Sequence, residues 1–233
     1  MTPLFHDFDG ATVLVFGGGS VGARKARRFA AESRVVVVSP RFHESLVSAA
    51  TETQPTDSDR PNELDRSNGL ELVRASPDPA DVREWISRAS PALAVAATDD
   101  PAVNAAIEAA ALSADVLVNR TDRSGEREPG SVVVPATIED GSVRVAISPG
   151  ARSPALSKAL RERIEAEIEG AGAMADLSGT LREELRKRSV DPDQRRAAIR
   201  AVVRSEPVWK ALQEGGSKGR KEAEKVIEEV IHG

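Results

Sequence analysis

Apolar and polar positions along the chain fall into short blocks that alternate in period. Thr12–Phe16, Arg34–Val38, Leu70–Val73, Ala92–Ala97 and Val116–Asn119 are compact aliphatic runs, rich in valine and four to six residues long. Such runs predict strands buried on both faces. Between them lie segments with helical spacing: the stretch from Gly19 onward with Val21, Ala26 and Phe29, then Asp81–Ser90, then the run through Asn104, Ile107 and Ala111. Strand and helix alternating in this way predict a parallel, doubly wound α/β sheet.

The pattern then changes. Ser131–Thr137 and Ser142–Ser148 read as two further strands, joined at Glu139-Asp140-Gly141 as a hairpin. A hairpin cannot continue a parallel βαβ series, so it leaves the sheet or pairs with another copy of the chain. From Ser153 the period is helical throughout. Ser153 caps, Pro154 takes the first helical position, and Leu156, Leu160, Ile164 and Ile168 recur every four residues until Gly170. Leu177–Lys187, Gln194–Arg204, Pro207–Leu212 and Lys221–Ile231 read as further helices. Thr51–Asn68, polar, acidic and holding two prolines, reads as a surface loop.

Chemistry enters where the first strand ends. Gly17, Gly19 and Gly22 form G-x-G-x-x-G between an apolar strand and a helix, which is the context that a dinucleotide-binding turn requires. The first glycine permits the turn, the second lets backbone approach a pyrophosphate, and the third lets helix and strand pack closely. The second strand ends at Ser39, Pro40 and Arg41, where an acid commonly meets a ribose 2′-hydroxyl. Local chemistry there leaves NAD and NADP open. Thr98 falls on the carboxyl edge of the sheet, and Asp100-Pro101 reads as an ordinary helix start. Asn119, Arg120, Thr121, Asp122 and Arg123 reach the same edge after the fifth strand and form the best catalytic candidate region.

Composition narrows the classes. At 233 residues the chain exceeds one typical domain. It has no cysteine, which excludes disulfides, thiolate metal sites and cysteine nucleophiles, and its three histidines are scattered. No metal site is expected. A formal charge of −5 with five Phe and two Trp argues against a nucleic-acid binder, and no apolar run is long enough to span a membrane. The first residues, MTPLFHDFDG, carry no secretory pattern, so a cytoplasmic location is expected.

Taken in order, GGGSVGARKA (17–26), AVAATDDPAVN (94–104), VNRTD (118–122), VVVPATIEDGSVRVAIS (132–148) and SPALSKALRERIE (153–165) resemble the precorrin-2 dehydrogenase family of siroheme biosynthesis. That family includes bifunctional dehydrogenase/ferrochelatases. The resemblance covers residues 1 to about 165. It implies a Rossmann-like NAD domain (1–112), a β-hairpin dimerisation region (113–150) and a small all-helical C-terminal domain (151–233), assembled as a homodimer. It further implies that NAD⁺ takes a hydride from precorrin-2 to give sirohydrochlorin, with Asp122 as the catalytic carboxylate.

Ser20, Val21, Pro40 and Arg41 match cofactor-contacting positions, joining Gly17, Gly19, Gly22 and Thr98. A tetrapyrrole carrying eight carboxylates calls for cations, and Asn119, Arg120, Arg123, Arg144, Arg152 and Lys158 are the candidate substrate-binding residues. Fe²⁺ insertion is left open, and Pro149 stands where some bifunctional members carry serine. Two other classes compete: an NAD(H)-sensing regulatory module, and a dehydrogenase for another anionic substrate.

Overall fold

The computed structural model describes residues 2–52, 69–123, 129–150 and 153–232. They form two compact units, Met1–Val134 and Pro135–Gly233.

In the first unit, strands β1 (Thr12–Phe16), β2 (Arg34–Ser39), β3 (Gly69–Arg74), β4 (Leu93–Ala96) and β5 (Leu117–Arg120) alternate with helices α1 (Ser20–Ala30), α2 (Glu44–Glu52), α3 (Val82–Ala89) and α4 (Pro101–Ser113). All neighbouring strands are parallel, in the order β3-β2-β1-β4-β5. The valine runs explain why both faces are covered. Leu14, Phe16, Val36, Val38, Ala94, Ala96 and Val118 pack with Val82 and Ile86 of α3 and Val103, Ile107 and Ala111 of α4. The alternate residues Val13, Val15, Val35, Val37, Leu93 and Val95 pack with Ala23, Ala26 and Phe29 of α1 and Leu46 of α2. The strand order reverses between β1 and β4, and the crevice outside their carboxyl ends is where ligands of open α/β sheets bind.

The second unit holds a hairpin, β6 (Ala136–Asp140) and β7 (Val143–Ile147), and helices α5 (Pro154–Glu167), α6 (Ala171–Lys187), α7 (Pro192–Arg204), α8 (Glu206–Glu214) and α9 (Gly216–His232). Its core comprises Met174, Leu181 and Leu185 from α6, Ala198 and Val202 from α7, Val208 from α8, and Ala223 and Ile227 from α9. The hairpin, expected as part of a region of its own, clusters with these helices, whereas β5 belongs to the parallel sheet.

Several expectations shift. The strand expected over Ser131–Thr137 is two pieces. Ser131 bridges Val118 and Val132 donates its N–H to the Val118 carbonyl at 2.8 Å, so this stretch follows β5. Pro135, which has no N–H to give a ladder, separates it from β6. The hairpin turn is the two residues Gly141-Ser142, between the paired Asp140 and Val143, and Gly141 takes φ +56°. Helix α2 had no counterpart in the sequence pattern, because Leu46 is its only fully buried apolar residue. Of the loop expected over 51–68, residues 53–68 lie outside the described residues.

Candidate functional site: a glycine turn and a carboxylate cluster on one sheet edge

The turn after β1 is shaped by what its glycines touch. Gly17 takes φ +106°, and a Cβ there would strike the Ala97 carbonyl oxygen. A Cβ on Gly22 would strike the Gly17 carbonyl oxygen, so α1 lies directly against the end of β1. Gly19 has nothing within 4 Å of its missing Cβ. It is also the residue before α1, where no side chain caps the helix and no acid lies in the first turn. Ser20 and Val21 beside it are exposed. An open, uncapped helix N-terminus flanked by close-packed backbone fits a dinucleotide pyrophosphate. Pro40 and Arg41 lie exposed after β2, and the Ser39 hydroxyl donates to the Arg41 carbonyl at 2.7 Å.

Thr98 follows β4. Its backbone N–H donates to Asn104 Oδ1 at 3.2 Å, its hydroxyl lies 2.7 Å from the same oxygen, and Asn104 Nδ2 donates to the Thr98 carbonyl at 3.0 Å. Asp100 is the helix cap expected of it, accepting from Ala102 N–H at 2.7 Å. Thr121, just past β5, donates its N–H to the Ala96 carbonyl at 3.0 Å, which ties the ends of β4 and β5 together.

Asp122 sits at this junction. Arg120 donates to it twice, Nε to Oδ1 at 3.0 Å and Nη2 to Oδ2 at 2.6 Å. The other side of the guanidinium donates to Glu108 of α4 at 3.0 Å. Glu108 also faces Arg123 at 3.7 Å and accepts from the Ser131 hydroxyl at 3.4 Å. The Arg120 hydrogen bonds hold the Asp122 carboxyl below the ordinary carboxylate range; partial burial opposes them, and a hydrogen bond from Asn104 adds to them. The Arg120 pKa is raised, first by Asp122 and then, against the cost of burial, by Glu108. Asp122 keeps a quarter of its side chain open, so a charged carboxylate is presented at the edge.

Two of the substrate-binding candidates are engaged inside the protein. Arg120 is the last residue of β5 rather than an edge residue, and its side chain is 3% exposed and saturated by two carboxylates. A charge consumed in that way is not offered to a ligand. Asn119 is equally buried, and its Nδ2 donates to the Val132 carbonyl at 2.7 Å, securing the stretch that follows β5. Arg123 remains exposed on the edge beside Glu108. Arg144 and Lys158 belong to the second unit, exposed and beside Glu139 and Glu162. Arg152 lies outside the described residues. Among the described residues no three His, Cys, Asp or Glu gather as a metal site, and no helix is long and apolar enough to cross a membrane.

The sequence reading missed Glu108 as part of the cluster and Asn104 as its link to Thr98. A signal existed. Val103, Asn104, Ile107, Glu108 and Ala111 are the buried stripe of an otherwise alanine-rich helix. A carboxylate on that stripe requires a cation.

Comparison with known proteins gives the family. The NAD(P)-binding family NAD_binding_7 matches residues 4–136. A precorrin-2 dehydrogenase of Methanosarcina barkeri is 32% identical over 230 residues, 98% of this chain and 94% of that protein. Siroheme synthase 1 of Aeromonas salmonicida is 31% identical across 91% of this chain, and a siroheme synthase of Pseudomonas putida 30% identical across 99%. The chain spans only 41% and 44% of those two longer proteins. The solved structure of SirC, a precorrin-2 dehydrogenase, shares the fold at a TM-score of 0.70 and 21% identity, covering 97% of this chain and all of that one. With an NAD(P)-binding family over more than half its length and a relative matched almost throughout, the chain belongs to the precorrin-2 dehydrogenase family.

Proposed function

We propose that the chain oxidises precorrin-2 to sirohydrochlorin with NAD⁺, and that Asp122 is its catalytic carboxylate. The observation that carries the reading is a part-exposed carboxylate, held by Arg120 below the ordinary carboxylate range, on the same sheet edge as an open glycine turn. When bound, NAD⁺ supplies the hydride acceptor. Gly17, Gly19 and Gly22 would shape its seat, with Ser20 and Val21 at the pyrophosphate and Thr98, Pro40 and Arg41 as the bordering residues that would hold it. Loss of hydride leaves a cationic ring that must shed a proton. Asp122 stabilises that charge while it develops and takes the proton on an Oδ atom. A carboxylate with a lowered pKa is competent here because the cation is a strong acid. Arg123, exposed on the same edge, meets a carboxylate of the substrate.

The molecule works as a cytoplasmic homodimer. Support comes from a hairpin of only two strands and from the α5 stripe, where Leu156 is 48% exposed and Leu160, Ile164 and Ile168 are only half-buried.

The test is anaerobic turnover of enzymatically generated precorrin-2 with NAD⁺, following NADH and sirohydrochlorin together. In Asp122→Asn, kcat is expected to fall by about 10²-fold or more with NAD⁺ affinity nearly retained. A fully active variant removes Asp122 from the mechanism. A wild-type chain that binds NAD⁺ but yields neither product favours the sensor or another anionic substrate. Fe²⁺ added to the completed reaction tests iron insertion against the rate without protein.

A further inference from the structure

We propose that the β2–β3 edge carries a 2′-phosphate subsite formed by Arg41 and Arg74, so that the chain binds NADP⁺ as well as NAD⁺. The proposal rests on the dinucleotide seat described above and concerns its adenosine end.

In dinucleotide folds an acid at the end of the second strand accepts from the ribose 2′-hydroxyl, and the same acid repels a 2′-phosphate. Here that position is Ser39, which is buried, neutral, and committed to the Arg41 carbonyl. Ser39 is the register partner of Arg74, so the last residue of β3 lies beside it at the carboxyl edge. Arg74 is held there. Its Nη1 donates to the Pro40 carbonyl at 3.0 Å, and its guanidinium carbon stands 5.5 Å from the centre of the Phe42 ring. These two contacts leave the remaining guanidinium N–H groups for a ligand.

The segment that carries Arg41 is strapped to the glycine turn. His43 N–H donates to the Gly18 carbonyl at 2.7 Å, and a Cβ on Gly18 would strike the Arg41 carbonyl oxygen. Arg41 therefore sits beside the turn that would hold the pyrophosphate, with Arg74 on the neighbouring strand. Both side chains are exposed, and neither forms an ion pair among the described residues. The acid nearest in sequence, Glu44, opens α2 and is not paired with Arg41. Two exposed guanidinium groups with no ion pair among the described residues, one of them oriented by Pro40 and Phe42, are the donors that a phosphate monoester selects.

The experiment is calorimetric binding of four probes to the full chain: NAD⁺, NADP⁺, 5′-ADP and 2′,5′-ADP. The subsite predicts that NADP⁺ binds at least as tightly as NAD⁺ and that 2′,5′-ADP binds more tightly than 5′-ADP. Arg74→Ala and Arg41→Ala should each shift the NADP⁺/NAD⁺ affinity ratio toward NAD⁺ by roughly tenfold. Ser39→Asp, which places an anion at the subsite, should shift it the same way. Preference for the unphosphorylated member of each pair, with ratios unmoved by the arginine substitutions, overturns the subsite while leaving the NAD⁺ seat intact. Failure of wild type to bind either dinucleotide overturns the seat itself.

Discussion

The glycine turn and the carboxylate cluster stand at strand ends of the same sheet, yet they are built in opposite ways. The turn is backbone throughout: Gly17 and Gly22 are filled by neighbouring carbonyls, Gly19 faces open space, and no charge is committed. The cluster is side chain throughout, with Glu108, Arg120 and Asp122 drawn from a helix, a strand and the residues after it, closed on each other and mostly buried. One region is open and neutral, so it can receive an anion. The other is closed and charged, so it fixes a single carboxylate in position and in its ionised state. A substitution should therefore register in the turn as lost ligand affinity and in the cluster as lost stability and altered pH response.

The largest expected effect is in the cluster. Arg120→Met leaves two carboxylates, one of them buried, without their shared cation, and should cost about 3–5 kcal/mol in chemical denaturation. Adding Glu108→Leu should recover much of that stability, whereas Asp122 then titrates nearer its ordinary value and the acid limb of the activity profile moves to higher pH. The linked effect in wild type has a definite sign. The folded pKa of Asp122 is lowered, so its contribution is fully present above the unfolded value of about 4 and is lost as pH falls through the folded value. The gap between wild-type and Asp122→Asn denaturation midpoints should be constant from about pH 8 to 5 and close below about 4.

The turn should give a smaller but sharper contrast. Gly22→Ala forces α1 away from the Gly17 carbonyl, with an expected cost of about 1–3 kcal/mol and a matching loss of NAD⁺ affinity. Gly19→Ala meets no protein atom, so stability should change by less than about 0.5 kcal/mol while NAD⁺ affinity falls in calorimetry. Equal losses at both positions would remove the distinction between a packing glycine and a ligand-facing one. Beside both regions an effect on stability alone is expected: Asp100→Ala removes the α4 cap at about 1 kcal/mol, read from the thermal midpoint.

These residues differ in how far the sequence announced them. The parallel strands were visible as valine runs because burial on both faces removes polar alternation, and the strand limits moved by one or two residues only. Arg120 was misplaced for that reason: a shift of one residue took it from the loop into β5, where its side chain turns inward to Glu108. Helix α2 was missed because a single leucine anchors it, and the break at Pro135 was read through because three valines lead into it.

The sequence by itself determined the doubly wound class, the glycine turn, the helix caps at Asp100 and Ser153, and Asp122 as a candidate, since each depends on local spacing and backbone conformation. Only the tertiary structure decided that Arg120 belongs to Asp122 and Glu108 rather than to a ligand, and that Arg74 lies beside Ser39. Those pairings join residues separated by twelve and thirty-five positions, and charge pairing between elements depends on which strand ends the register brings together.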